Sequence, residues 1–560
     1  MEIVKKISKE ISKIINKDEN LIERMIERPK DLKNGDYCLP CFSFAKELKK
    51  SPQEIAQNIK ENLKIDEIEN IDVVSGFLNI FVNKKILIGA IFEEINKQNL
   101  SFGSSEIGKN KKALIEHTSI NPNASPHIGR ARNALIGDCI VNVLKFNKYD
   151  VEVHYFVNDI GKQISMLLVA SKDKPELSFN QMLSLYVEIN QKIKEDPNIE
   201  QEVFENLNKF ESGDKETIQE FRKIVEICIN GQKEILAELG IHYDYYDYES
   251  DLILNGSVEK VLEKLKNTGK LFEAEDGRLV IDEEGYNLPL KSPVLVVTRA
   301  DKTSLYPLRD ITYTINKIEK NADRNIVVLG EDQKVYFKQV ATAMDILGYK
   351  APEVVHYSFV LLPDGKMSTR QGTVVLLEDF MKEILEKTKL ELKNRNQNID
   401  EEKAKKLAYG VVKYTILKGS SEKNVIFDLE KALSFEGDTS LYIQYNYARI
   451  NSILKKAGYE NLEKIQKYEL LKEPIEVQLV QKIEDFPKVV SKVLEKLTPN
   501  LIANYVYELT QMFSTYYHDF SILNSGDDEL KNMRLQLINN IGLVIKNALS
   551  LLGIDTVEEM

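Results

Sequence analysis

The chain has 560 residues, 43% hydrophobic and 29% charged, with a formal net charge of −12. A chain of this size predicts about three or four domains with large cores, and it holds no uninterrupted apolar stretch long enough to span a bilayer. Four cysteines in this length argue against a disulfide scaffold and suit a reducing cytosol. The acidic balance neither demands nor excludes a nucleic-acid partner, because local fields follow the placement of charge rather than its sum. Lys109, Lys111 and Lys112 are one run that suits phosphate, or simply a solvated face.

In chain order, residues 1–105 open with MEIVKKISKEISKIINKDEN. Its apolar positions recur at helical spacing, and it lacks the continuous apolar centre of a signal peptide. A cytoplasmic protein is expected. A strand-like GFLNIFVN begins at Gly76, so this region reads as an α+β domain. Residues 106–390 alternate strands and helices. VEVHYFV, VLVVTR, NIVVLG and VVHYSFVLL are short β-branched runs of the kind buried in parallel sheets. A helical, charged insertion is expected over about 161–289. Residues 391–560 carry periodic helical text and predict an α-helical bundle. The fold class is therefore α/β: a Rossmann-like parallel-sheet catalytic domain, an α+β N-terminal domain and an α-helical C-terminal bundle.

Lys111 to Asp138, KKALIEHTSINPNASPHIGRARNALIGD, spells a strand, a loop and a helix start. Ala113 to Ile115 form the strand; Asn121, Pro122, Asn123 and Ser125 break it; Ile128, Ala131, Leu135 and Cys139 make one helical stripe. Open α/β sheets bind ligands just past their strand ends, where the next helix offers unpaired N–H groups to an anion. Pro126, His127, Ile128 and Gly129 fall there. Far downstream, DGKMSTRQG from Asp364 to Gly372 supplies a second basic, glycine-flanked loop.

Together the two loops resemble the paired ATP-binding motifs of class I aminoacyl-tRNA synthetases, usually written HIGH and KMSKS. They stand here as His127-Ile128-Gly129-Arg130 and Lys366-Met367-Ser368-Thr369-Arg370. The wider context is similar to the arginyl members in its Glu116, Ser119 and Asn121, its YFVND, its Tyr306-X-X-Arg309-Asp310, and its SFEGDTSLYIQYNYARI from Ser434. The likeness runs in order along nearly the whole chain. It implies ligation of arginine to its tRNA through an arginyl-adenylate. A rival reading is a catalytically silent tRNA-binding paralogue with a regulatory role, which intact His127, Gly129 and Lys366 argue against.

What the resemblance implies can be stated residue by residue. His127, Gly129, Arg130, Lys366 and Ser368 would serve catalysis. ATP would lie on Pro126, His127, Ile128 and Gly129 and under Lys366, Met367, Ser368 and Arg370. Glu116, Ser119, Asn121, Tyr306, Asp310 and Asp332 would hold arginine, since a guanidinium seeks planar, paired acceptors. Arg130 stands where the family usually has a second His, and its charge keeps phosphate contact open with a different geometry. Asn158 and Asp159 would hold the ribose, structure the pocket or cap a turn. The N-terminal domain would grip the outer corner of the tRNA. The bundle would read the anticodon through Tyr442, Gln444, Tyr445 and Arg449, with Tyr517, His518 and Arg534 as further candidates. Family members are commonly monomers.

Cys38 and Cys41 form one Cys-X-X-Cys with no further ligands nearby, so packing rather than a structural zinc is expected. Mg²⁺ would enter with ATP.

Overall fold

The computed structural model describes residues 2–29, 31–172, 174, 176–361, 363, 375–395 and 400–560. The amphipathic helix Glu2–Ile15 buries Val4, Ile7, Ile11 and Ile15 along one face. It packs beside the helix Pro52–Asn62, whose start is fixed by a Ser51–Glu54 capping box. Strands β1 (Tyr37–Pro40), β2 (Ile68–Val74) and β3 (Phe77–Val82) form an antiparallel sheet in the order β1-β3-β2. Cys38 and Cys41 are buried here as free thiols, and burial pushes them up to about 11 and about 12.

The central sheet uses β4 (Lys112–Glu116), β5 (Asp150–Val157) and β6 (Tyr245–Tyr248). Strands β7 (Leu271–Glu273), β8 (Leu279–Asp282) and β9 (Val294–Val296) make a separate antiparallel sheet. The chain then returns through β10 (Arg324–Gly330) and β11 (Glu353–Tyr357). The five parallel strands lie in the order β11-β10-β4-β5-β6. From β4 the chain builds outward through β5 and β6, then crosses back to build β10 and β11 on the other side. The order thus reverses between β4 and β10, and their carboxyl ends, Glu116 and Gly330, flank the crevice where such sheets take ligands.

Two expectations are corrected. VLVVTR supplies β9, an antiparallel strand outside the central sheet. The helical text of 161–289 is interrupted by β6, which pairs parallel with β5 at the sheet edge, and by β7 and β8 of the separate antiparallel sheet. Tyr245 to Tyr248 are aromatic and acidic rather than aliphatic, and only partly buried or exposed, so no apolar run announces them.

Short strands β12 (Val360–Leu361) and β13 (Val425–Ile426) pair in parallel. The C-terminal helices include Glu401–Leu417, Ser440–Ala457, Pro474–Lys496, Asn500–Asp519 and Asp528–Leu551. They share one apolar core with the helix Ile128–Phe146. A buried polar contact fixes that junction: the Lys413 ammonium donates to the Gly553 carbonyl beside the Asp138 carboxyl, which burial pushes up to about 6. No helix among the described residues is long and apolar enough to cross a membrane.

Candidate active site

The loop after β4 is held in an unusual backbone conformation. Thr118 and Ser119 both lie in the left-handed region, at φ +80° and +53°, which costs free energy unless the surroundings enforce it. They do so with hydrogen bonds. Thr118 N–H donates to Asn133 Oδ1 at 2.7 Å, and Ser119 Oγ donates to the Phe156 carbonyl at 2.9 Å. Gln232, from the helix Lys215–Ala237, donates to the carbonyls of Asn121 (3.0 Å) and Ala124 (2.8 Å), and Tyr155 Oη donates to its Oε1 at 2.7 Å. Behind the loop His117 is fully buried and held neutral, its imidazole pushed down to about 3 by burial. Gly137 makes room for it: a Cβ there would stand 2.3 Å from the ring.

His127 is the N-cap of the helix Ile128–Phe146 and makes no side-chain cap bond. Its ring folds over Gly129, where a Cβ would come within 3.0 Å of it. Burial, and then the nearby Arg130 cation, lower its imidazole to about 4. At neutral pH it offers a phosphate oxygen one N–H donor and no charge. Arg130 sits on the first helical turn with no side-chain hydrogen bond or ion pair among the described residues. Asn123 Oδ1 and Ser125 Oγ are buried without a partner there.

Lys366, Met367, Ser368 and Arg370 lie outside the described residues, but the segment that follows them does not. Leu376 bridges His127 in antiparallel fashion, Leu377 N–H donates to the Pro126 carbonyl at 2.9 Å, and Ile128 N–H reaches the Val375 carbonyl at 3.4 Å. The chain is thereby fixed, from five residues after Arg370 onward, directly to the first loop. Arg132 fixes the entry side. Its buried guanidinium donates to the carbonyls of Ser358 (2.6 Å), Phe359 (3.3 Å) and Ser420 (2.9 Å).

A second cleft opens between the sheet and the helix Tyr306–Ile318. Glu116, Asp310, Lys317, Gln333 and Tyr336 line it. Tyr306, Asp310, Tyr313 and Lys317 share one helical face, being separated by four, three and four residues. Glu116 Oε2 accepts from the Lys317 ammonium, and Asp310 Oδ2 accepts from Tyr336 Oη at 2.5 Å. Burial, followed by the neighbouring Glu249 and Glu116 carboxyls, raises Asp310 to about 7 against the opposing Tyr336 hydrogen bond. Tyr306 is 55% exposed at the mouth, its ring 5.1 Å from that of Tyr336.

Other expected residues are placed elsewhere. Asp332 is exposed, and its carboxylate folds back over Gly330; its neighbour Gln333 lines the cleft instead. Asp159 is buried and accepts from Ser250 N (2.8 Å) and Oγ (2.5 Å), a structural use. Asn158, with its amide oriented to satisfy both neighbours, donates to the Ile160 carbonyl and to Glu249, each at 3.0 Å. Glu249 also pairs with Arg309.

On the bundle, Arg449 is sandwiched between Tyr445 (4.7 Å) and Tyr517 (4.8 Å), in a groove that the terminal Glu559 and Met560 also line. Tyr442 is partly buried against Tyr507. His518 is exposed beside Asp519. Gln444 is a correction: it is fully buried, and its amide is spent on the Asp555 carbonyl (2.6 Å) and the Val557 N–H (3.2 Å), leaving nothing for RNA. Arg534 is likewise consumed by Glu476 at 2.8 Å and the Ser521 carbonyl at 3.1 Å.

Sequence reasoning missed Lys317, Gln333, Tyr336, Gln232 and Arg132. Only Lys317 carried any signal, its register with Tyr306, Asp310 and Tyr313, which gives the helical face but not the burial.

A parallel sheet with a reversal point, a His-Ile-Gly helix start and, bound against that start, the segment that follows the Lys-Met-Ser sequence define the nucleotide-binding domain of a class I synthetase. The family description "tRNA synthetases class I (R), catalytic domain" matches residues 90–429, "Arginyl tRNA synthetase N terminal domain" matches 1–82, and "DALR anticodon binding domain" matches 443–560. The arginine–tRNA ligase of Methanocaldococcus jannaschii is 36% identical over 94% of both chains. That of Clostridium acetobutylicum is 32% identical with the same coverage. The solved arginyl-tRNA synthetase of Thermus thermophilus superposes with a TM-score of 0.82 over 96% of each chain, at 26% identity. The chain belongs to the arginyl-tRNA synthetase family of class I.

Proposed function

We propose that this chain joins L-arginine to its tRNA in two steps driven by ATP. Arginine's carboxylate attacks the α-phosphorus of ATP and expels pyrophosphate; the terminal ribose hydroxyl of the tRNA then takes the arginyl group from the adenylate. The observation that carries the reading is the convergence of two sites on one sheet edge. Glu116 and Asp310 line a common cleft, and each keeps one oxygen without a partner among the described residues, while His127 begins the helix that follows Glu116's strand.

Charge builds on the phosphoryl oxygens and on the leaving group, so catalysis here is positioning and electrostatic stabilisation. His127 donates its N–H to a phosphate oxygen, the Gly129 N–H, without a partner among the described residues, adds one backbone donor at the helix start, and Arg130 adds a cation. Gly129 keeps the backbone clear for the nucleotide. Lys366, Ser368 and Arg370, with Met367 between them, close on the β- and γ-phosphates, and Mg²⁺ arrives with ATP. In the amino-acid cleft Glu116 and Asp310 take the guanidinium, Tyr306 covers it, and Ser119 and Asn121 face the α-carboxylate and amino end. Lysine is disfavoured because a single ammonium leaves buried acceptors unpaired.

The domain reading is 1–105 for the outer corner of the tRNA, 106–390 for catalysis and 391–560 for the anticodon. Arg449 between Tyr445 and Tyr517 supplies a stacking surface for unpaired bases. The enzyme acts as a cytoplasmic monomer. Charging of an arginine tRNA transcript with labelled arginine, resolved on an acid gel, tests the whole reading. An arginyl-tRNA band that needs ATP supports it, and folded protein that yields none with active transcript refutes it.

A further inference from the structure

The arginine cleft contains its own cation. Lys317 ends the polar stripe of the helix Tyr306–Ile318, and its side chain is 3% exposed. Its ammonium is paired with Glu116 Oε2 and sits 4.4 Å from the centroid of the Tyr313 ring. Tyr313 is itself fixed, donating to Asp247 Oδ2 at 2.7 Å. Nothing in the arithmetic of arginine recognition calls for a buried lysine beside the acid that is to receive a guanidinium.

Its effect on the acceptors is specific. Lys317 occupies one oxygen of Glu116, and Tyr336 occupies one oxygen of Asp310. Oε1 of Glu116 and Oδ1 of Asp310 are left, on two different elements but lining the same cleft. A planar guanidinium presents donors along more than one edge and can reach both oxygens at once. A lysine ammonium is a compact charge; seated on Glu116 it would share that carboxylate with the Lys317 ammonium and meet it as a like charge.

We infer that Lys317 is a positioning and specificity residue: it holds Glu116 with a single oxygen turned into the cleft, so that only a cation able to bridge Glu116 and Asp310 is accepted, and a second ammonium is rejected. This rests on the arginine reading of the cleft. It also explains how two carboxyls, with Glu249 nearby, stand together in a partly buried space before any substrate arrives.

The test is ATP–pyrophosphate exchange by the full-length enzyme with cognate tRNA, measuring kcat and KM for arginine and for lysine. Arginine-dependent exchange by the unaltered enzyme checks the reading itself; its absence would sink the reading without reaching this inference. Lys317→Met frees both Glu116 oxygens. The expected result is an arginine KM raised about tenfold, with a smaller change in kcat, and a gain of lysine-dependent exchange that narrows arginine-over-lysine selectivity about tenfold or more. Lys317→Arg, which still pairs Glu116, keeps selectivity within about threefold of the original. A gain of activity toward lysine is not what general loosening of the fold produces. If Lys317→Met fails to fold, Lys317→Gln removes the charge at similar length and is expected to admit lysine as well. A folded neutral variant with unchanged arginine KM and unchanged selectivity overturns the inference.

Discussion

On the proposed reading of the cleft, Asp310 makes arginine binding depend on pH, in a direction set by its surroundings. Its carboxyl is raised from 3.8 to about 7, first by burial and then by Glu249 and Glu116, with the Tyr336 hydrogen bond and Lys317 opposing. A carboxyl raised on folding contributes stability that is fully present below its unfolded value and is lost as pH rises through about 7. Ionising Asp310 in the free enzyme is thus opposed by about 4 kcal/mol at most, at 1.36 kcal/mol per unit. A guanidinium reverses the balance, because it pairs with the ionised form. Above about pH 8 binding is expected to be independent of pH. Below about pH 7 each arginine must displace one proton, so Kd rises roughly tenfold for each unit by which pH falls. Titration calorimetry in two buffers of different ionisation enthalpy reads this directly: proton release approaching one at about pH 6 and near zero at about pH 8.5. Asp310→Asn should abolish the proton release and weaken binding by about 2–3 kcal/mol, the scale of a hydrogen bond to a charged partner. A flat Kd between about pH 6 and 7.5 in the unaltered enzyme would refute the reasoning.

Three further outcomes follow from the same geometry. His127→Ala removes one donor to developing phosphate charge and should lower kcat of pyrophosphate exchange by about 10²–10³, while calorimetric arginine affinity stays within about twofold. Arg132→Met removes the donors on the carbonyls of Ser358, Phe359 and Ser420; denaturant titration should show about 3 kcal/mol lost, and Arg132→Lys should not restore it, because one ammonium does not reproduce the fork across both segments. Arg449→Ala empties the sandwich between Tyr445 and Tyr517 and should raise KM for tRNA about tenfold, with kcat in charging little changed.

The architecture was legible where chemistry and periodicity agreed. The strand, loop and helix around His127 fell where the sequence placed them, because an aliphatic run, a cluster of Asn, Pro and Ser, and a 3.6-residue stripe each name one element. The sheet edge was harder. Tyr245 to Tyr248 form a strand by pairing with His154 to Val157, a long-range partnership that no local pattern encodes, whereas Val294 to Val296 have the β-branched look of a core strand and pair antiparallel elsewhere. The same limit governed the site. Glu116 and Asp310 were visible as acids in a motif, but Asp332 and Gln333 are neighbours, and only the turn geometry decides which faces the cleft. Gln444 had the character of an RNA contact until the C-terminal tail folded over it. Lys317, written among Asn316, Ile318, Glu319 and Lys320, has the text of a solvated helix end; its burial exists only once the sheet lies underneath.

The central claim, an ATP-dependent activation of arginine, is tested most directly by pyrophosphate exchange with each of the standard amino acids in turn, with and without arginine tRNA. Exchange is expected with arginine and with no other amino acid. Exchange with a different amino acid, or none with any in folded protein supplied with active tRNA, would contradict it.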